Sequence, residues 1–479
     1  MSKDSIGDIE RASHPVLGHL LALLEAHRSA FAQERVFARA EALALGQYLS
    51  LGRHTLTQSL VALGLVQDDW TAFYRILEQP RLDREELVRC LLGETLTHTP
   101  LEGPYAVVVD GVHVPRHSRT MPGTSWAKDA HTPAWKPGIR RAQRFVDIAW
   151  LTPPSPSGYR RAVPIEWAAA LPEKAVRPVD VPAQKEWEAA LGRVRWLRKE
   201  LDKEGRTEQR LLVIGDGSYS GKGVWAQLPE RTTLLARCAR NRALYGLPPR
   251  EARGRGRRRK YGEKARHPHE WLAEGSGWQR TQLRVRGRTI PVTYRVEGPY
   301  VVKGAPEQPL FLLVVKGIDR RVNGRTRRRE PAYWLVSAVE CDGRWVLPWP
   351  AEDLLGWAWQ RWEVEVSHRE MKAGLGVGEI QCWGKVSAIL AVQWQVWTYS
   401  LLVLAGYRSW GLEGGPQPVG RWWRGGKRWS FSRLWQAFRQ ECWGSQEFRR
   451  VWTGPGTNWT KKELWLAAKA NAVQGLQRA

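Results

Sequence analysis

The chain has 479 residues, of which 74 are Lys or Arg and 48 Asp or Glu, giving a formal net charge of +26. That length excludes a minimal module and leaves room for two or three domains with a substantial core. Because the arginines run along the whole chain, the charge excludes a merely basic tail and points to a long polyanion, since each neutralised phosphate releases counterions.

Anionic membrane is the competing partner. The most apolar stretch, 386–407, carries Gln393 and Gln395 inside it, so it reads as a core helix, and no membrane association is expected. The opening MSKDSIGDIER does not read as a signal peptide, and a cytoplasmic, nucleoid-associated protein is expected. Five scattered cysteines without a Cys-x-x-Cys pair indicate neither a disulfide framework nor structural zinc. Many of the 28 tryptophans alternate with Arg and Lys, as at 420–429; most read as core or surface filler, and some suit stacking on bases.

Residues 1–100 read as helical, with apolar residues at helical spacing from His14 to Leu49. Two short amphipathic pieces follow, parted near Gly64. A helix-turn-helix with Thr55, Thr57 and Gln58 toward DNA is one reading; a helical bundle that only packs or dimerises fits equally. From about 101 the period shortens. YAVVVDGVHV, RFVDIAWL and AVPIEWAAA predict three strands, KEWEAALGRVRWLRKELDKEG a helix ending on Gly205, LLVIGD a fourth strand, and TTLLARCARNRAL a fifth. That order predicts an RNase H-like α/β layer in which the first and fourth strands lie side by side. A basic loop and a renewed β pattern follow.

The predicted fold class is therefore α/β, an RNase H-like catalytic core interrupted by a β-rich insertion, with a helical N-terminal domain. The boundaries are 1–100 for the N-terminal DNA-binding or dimerisation domain, 101–245 and 351–412 for the two parts of the core, 246–350 for the insertion, and 413–479 for a basic, Trp-rich C-terminal region. FSRLWQAFRQEC predicts a helix within that last region.

In RWEVEVSHREMK, Arg361, Glu365, Arg369 and Lys372 recur at steps of four, four and three, one face of a helix. Alone this is a salt-bridged surface. Upstream, however, two apolar runs each close on an acid, Asp110 and Asp216. One strand-end aspartate is ordinarily a turn cap. Three separated acids beside cations are what divalent-metal phosphoryl transfer requires, because Mg²⁺ is a hard ion that takes a few carboxylates and keeps several waters.

Other signals carry less. GDGSYSGKG lacks the first glycine and the final Ser or Thr of a phosphate loop. His113 and His117 follow a strand and make a poor zinc pair. Asp147 and Glu166 read as supporting acids or as solvated ones. Arg257, Arg258, Arg259 and Lys260 form a basic run suited to gripping phosphates near an active site.

Arg361-Trp362-x-Val364-Glu365 followed by Lys372 resembles the Tyr-x2-Arg-x3-Glu-x6-Lys signature of bacterial insertion-sequence DDE transposases, over about 105–385. The tyrosine position is Ala358, between Trp357 and Trp359, so no residue takes a tyrosine role. The resemblance implies Asp110, Asp216 and Glu365 as catalytic and metal-binding acids, with Mg²⁺ as cofactor and Mn²⁺ as its substitute. It implies Arg361 and Lys372 as DNA-backbone cations, Arg369 as a further phosphate contact, and Arg237 near the terminal nucleotides. Trp334 is implied to stack on an extruded base, with strand core as the equal alternative. The implied partners are double-stranded DNA, as terminal inverted repeats and target, and a second copy in a homodimer on that DNA. The implied activity is cut-and-paste transposition; a nuclease of the same fold that does not join ends, and a non-catalytic DNA-binding regulator, stand as alternatives.

Overall fold

The computed structural model describes residues 15–444 apart from 66–68, 79–80, 130–131, 134, 249–258, 323–324 and 418–426. The N-terminal helices are α1 (Pro15–Ala26), α2 (Glu34–Leu49), α3 (Leu56–Ala62), α4 (Trp70–Tyr74) and α5 (Arg84–Thr97). Short polar side chains start three of them. Thr55, Asp69 and Asp83 accept from backbone N–H groups in the first turns of α3, α4 and α5, satisfying donors that a helix start leaves open. Thr55 is thus a cap, and the Thr57 hydroxyl lies 2.6 Å from the Tyr74 hydroxyl. Of the three polar positions suggested for DNA contact, Thr57 and Gln58 are exposed.

The strands begin with β1 (Tyr105–Pro115), β2 (Thr124–Lys128), β3 (Ile139–Leu151) and β4 (Ala162–Ala169). Next come α6 (Glu186–Lys203), β5 (Leu211–Gly215), the single turn α7 (Lys222–Trp225) and β6 (Thr232–Arg237). β1 pairs with β3 antiparallel on one side and with β5 parallel on the other, and β6 extends the parallel edge. The expected adjacency of the first and fourth strands of the layer is present. β2 was not expected: TSWAK is too short and too polar to show as a strand, and it forms by pairing with the first half of the long β3.

Downstream lie β7 (Tyr245–Gly246), β8 (Gln279–Val285), β9 (Arg288–Val302), β10 (Ala305–Val315), β11 (Ile318–Val322), β12 (Arg325–Arg329), β13 (Ala332–Ser337), β14 (Val339–Cys341) and β15 (Arg344–Val346). β11 with β12 and β14 with β15 form separate two-stranded sheets, whereas β7, β8, β9, β10 and β13 join the strands of the first half. Among the described residues one eleven-stranded sheet runs β2-β3-β1-β5-β6-β13-β10-β9-β7, with β4 also on β3 and β8 also on β9. The join is β13 against β6, where Trp334 faces Arg237.

The last elements are α8 (Ala351–Gln360), α9 (Glu363–Ala373), α10 (Ser387–Trp410) and α11 (Phe431–Gly444). Every residue of β5 is buried, the pattern of a strand covered on both faces. Leu211 and Val213 face a core shared with α6 and α10, while Leu212 and Ile214 face a second core shared with α8. α10 is apolar and long enough to cross a membrane, yet it is buried from Ala388 to Gly406. Its two glutamines are fully engaged. Gln393 accepts from the Trp167 N–H, and Gln395 both accepts from the Gly378 N–H and donates to the Gly376 carbonyl, which offsets the cost of burying amides. The helix is a core element, as its sequence predicts.

α11 realises the helix expected in FSRLWQAFRQEC and packs on the N-terminal helices. Its Glu441 accepts from the Leu17 N–H at 2.8 Å, and its Arg439 donates to the carbonyls of Tyr48 and Ser50. Residues 418–426 and 445–479 of the Trp-rich region lie outside the described residues.

Two glycines separate packing from propensity. A Cβ on Gly46, in α2, would stand 2.6 Å from the Ser59 carbonyl and 2.9 Å from Leu63, whereas one on Gly192, in α6, meets nothing within 4 Å. Gly192→Ala should raise unfolding free energy by about 0.5–1 kcal/mol, and Gly46→Ala should lower it by about 1–3 kcal/mol; urea unfolding midpoints read both.

Candidate active site

The chain lays β3 and β4 outward on one side of β1, crosses back through α6, and lays β5 and β6 on the other side. The crevice where such a parallel layer changes direction, beyond the carboxyl ends of the strands, is where ligands bind. The last parallel pair is Val109 with Gly215. Asp110 and Asp216 are the next residues of β1 and β5, so adjacent strands deliver the two acids side by side.

Asp110 remains in the antiparallel ladder, directly opposite Asp147 of β3. Asp216 is the first residue beyond β5 and caps a turn of 3₁₀ helix, its Oδ1 accepting from the Ser218 N–H at 2.8 Å. A cavity of about 550 Å³ opens beside it, walled by Arg144, Lys185, Glu186, Trp187 and Ser218.

The third acid arrives from α9. Arg361 donates to Glu365 Oε1 at 2.6 Å and lies 3.9 Å from Asp110 Oδ2, so one guanidinium stands between two of the three acids. Arg361 is at the joint after α8, with helical backbone angles, and Trp362 opens α9; the predicted stripe therefore survives a break in the helix. His368, one turn beyond Glu365, lies 2.8 Å from Asp147 Oδ2, and the Asp147 side chain is wholly buried.

Two ion-paired carboxylates, Glu363 buried and Glu370 half-buried, fix α9 in place. Glu363 pairs with Arg286 at 2.7 Å and with Arg428. Glu370 pairs with Arg161 at 3.2 Å and accepts from the Tyr399 hydroxyl at 2.6 Å. Arg286 sits in the two-residue turn joining β8 to β9 with φ of 52°, followed by Gly287 at 71°. Positive φ at both central positions is what a tight hairpin of this hand requires and is costly for a non-glycine residue. That turn carries the guanidinium to α9.

The electrostatics follow from this crowding. Burial pushes the Asp110 carboxyl up to about 6; His368 and Arg361 pull it down, and Asp216 and Glu365 push it further up. Burial also raises Asp147, against the hydrogen bond from His368. The donor set, three carboxylates with mutual repulsion, is of the kind a hard divalent cation takes and relieves. Among the described residues no three His, Cys, Asp or Glu side chains gather closely enough to share an ion; Arg361 holds that ground as the counter-charge. The residues fit the ion in kind, and Arg361 must yield for Glu365 to join it.

The other sequence-derived positions are distributed as follows. Lys372 is exposed; burial of its ammonium and the charge of Arg140 lower its pKa, and the charge of Asp110 raises it. Arg369 is exposed on α9. Arg237 is exposed at the end of β6, its carbonyl 3.7 Å from where a Cβ on Gly217 would stand. Trp334 is 6% exposed and packs in the second core. That is the strand-core alternative, and it leaves the indole no open face for a base. Arg259 and Lys260 are exposed, and Arg257 and Arg258 lie outside the described residues. Asp147 and Glu166 are both buried, which corrects the solvated alternative. Glu166 pairs with Arg193 at 2.5 Å, away from the acids described above.

Sequence reasoning passed over His368 and Arg286. His368 shares the face of Arg361 and Glu365 at i+3, a signal available in the motif itself. Arg286 had none, because its partner lies 77 residues away.

A family model described as the DDE superfamily endonuclease matches residues 28–296, more than half of the chain. The match contains Asp110 and Asp216 and stops short of Glu365. No curated protein matches the chain.

Asp110 yields a pH prediction. Its folded pKa is raised, so the ionised form destabilises the fold above about 6, and the penalty disappears as pH falls below the unfolded value of 3.8. In metal-free buffer at pH 8, Asp110→Asn should be more stable than the native protein by about 1–3 kcal/mol. Thermal unfolding at pH 8 and pH 4 checks this; the difference should be gone at the lower pH.

Proposed function

This chain belongs to the DDE superfamily endonucleases, and on that premise we propose that it is the DNA transposase of a bacterial insertion sequence. In this reading it cuts the element's ends and joins the freed 3′-hydroxyls to target DNA. The observation that carries it is the delivery of Asp110 and Asp216 by adjacent parallel strands, with Glu365 brought to the same crevice by α9. The strand order, with the first and fourth strands adjacent and a helix crossing between the third and fourth, supports an RNase H-like core.

Within that core the side chains divide the work. Asp110 and Asp216 are the acids best placed to hold a metal, with Glu365 joining when Arg361 moves to a phosphate. Mg²⁺, or Mn²⁺ in its place, supplies when bound the Lewis acidity that activates a water or a 3′-hydroxyl and steadies the leaving oxygen. Arg361 and Lys372 offset phosphate charge next to the acids. His368 and Asp147 hold α9 against β3 and so set where Glu365 lies. Arg237 and Arg369, exposed around the crevice, extend the cationic surface along the DNA backbone, and Arg257, Arg258, Arg259 and Lys260 extend the basic sequence of the chain.

The same reading assigns residues 1–100 to end binding or dimerisation, 101–245 and 351–412 to the catalytic core, and 246–350 to an insertion that extends the core's sheet. Terminal inverted repeats and target DNA are the substrates, and a homodimer on DNA is the working assembly. A basic protein with the metal-binding acids intact is better matched to cutting than to passive regulation.

The test is excision in cells, with the encoding element and its flanks as donor. Native protein should yield emptied or rejoined donor, and Asp216→Ala and Glu365→Ala should each reduce it by at least about 10³-fold while the purified variants still bind the flanks. Native protein that binds the flanks and excises nothing contradicts the proposal.

A further inference from the structure

We propose that Tyr219 is a positioning residue for Asp110: its phenolic hydroxyl donates to the Asp110 carboxylate when Arg361 gives way to a metal, which deepens the metal-dependent cutting reading above and rests on it. GDGSYSGKG, which fails as a phosphate loop, folds into the turn that leads out of β5. Asp216 caps that turn, and Tyr219 follows three residues later.

Tyr219 is 2% exposed, and its hydroxyl oxygen, wholly buried, bonds to no group among the described residues. A buried tyrosine hydroxyl ordinarily has a partner, because without one it forfeits the hydrogen bonds it made to water. The ring has little freedom to seek one elsewhere. A Cβ on Gly215 would stand 3.0 Å from the Tyr219 Cβ, so the residue is seated against the backbone of β5. Ser220 beside it is held as well. Its hydroxyl donates to the Gly217 carbonyl at 2.8 Å, and its carbonyl accepts from the Trp225 indole and the Arg242 guanidinium, each at 2.9 Å.

The charges around the hydroxyl limit what it can meet. Burial pushes its pKa well above the ordinary value, and Asp110, Glu186, Asp216 and Asp147 push it further, in that order. The phenol therefore keeps its proton, and toward carboxylates it can only donate. Three of the four acids are already engaged. Glu186 lies 3.3 Å from His113 Nε2, Asp216 accepts from the Ser218 N–H, and Asp147 lies 2.8 Å from His368. The Asp110 side chain has Arg361 at 3.9 Å, beyond hydrogen-bond reach. Once that guanidinium is displaced, Tyr219 is the buried donor left to orient Asp110. A carboxylate that binds metal is ordinarily held in this way, and losing the bond costs about ten- to hundred-fold in metal affinity.

The test uses the full chain at pH 8, titrated with Mn²⁺ and read by electron paramagnetic resonance of the free ion. Tyr219→Phe should bind Mn²⁺ at least about ten-fold more weakly than the native protein. Its thermal midpoint in chelator should be unchanged or higher, because the exchange keeps the ring and removes a buried hydroxyl that has no partner. A role confined to packing would leave the affinity alone. The same exchange made in a Glu186→Gln background should cost as much; a loss that vanishes there makes Glu186 the acceptor and overturns the assignment to Asp110. Native Mn²⁺ affinity in Tyr219→Phe, or a lowered midpoint in chelator, overturns the proposal and leaves the cutting reading intact. Native protein that binds no Mn²⁺ overturns the metal-dependent reading, and the proposal with it.

Discussion

The constraint on which the rest depends is electrostatic: the parallel pairing of β1 with β5 brings Asp110 and Asp216 together at the half-buried ends of adjacent strands. Burial, and then the charges of Asp216 and Glu365, push the Asp110 carboxyl up. The protein answers with Arg361, placed between Asp110 and Glu365. A guanidinium held by carboxylates is a replaceable counter-charge. On the proposed function, a bound metal would give the acids a stronger cation and a DNA phosphate would give the arginine a stronger anion, so the same residues would satisfy both states.

Such an exchange needs α9 to hold still while its side chains move. Glu363, buried, and Glu370, half-buried, give it two ion-paired anchors that reach the β8–β9 turn, the start of β4 and the C-terminal segment through Arg286, Arg161 and Arg428. Buried pairs add little net stability, but removing one partner leaves an uncompensated charge costing about 3–5 kcal/mol. Their effect here is specificity of placement. Three distant parts of the chain must be folded before the helix carrying Glu365 is fixed, which couples the strands after residue 246 to the crevice at Asp110.

Much of this was legible in the sequence for identifiable reasons. Alternation failed and continuous apolar runs appeared in YAVVVD and LLVIGD because those strands are covered on both faces, and the adjacent pairing of the two strands sets the acids that close them side by side. The α10 helix was separable from a membrane span because its glutamines need buried partners, which Gly376, Gly378 and the Trp167 N–H supply. What stayed hidden depends on pairing across long separations. β2 exists only because β3 is long enough to hold two partners, β9, β10 and β13 read as a separate insertion because sequence cannot show that β13 adds to β6, and the choice between base stacking and strand core for Trp334 stayed open because its burial is set by that same join.

The most direct measurement of the central claim, that Asp110 and Asp216 form one cation-binding crevice with α9, is anomalous diffraction from crystals of the native protein and of Asp216→Ala soaked in Mn²⁺. The account predicts a manganese peak bound by Asp110 and Asp216 in the native crystals, with the Arg361 guanidinium displaced, and its loss in the variant. Manganese bound away from both carboxylates, or a peak unchanged in the Asp216→Ala crystals, would contradict it.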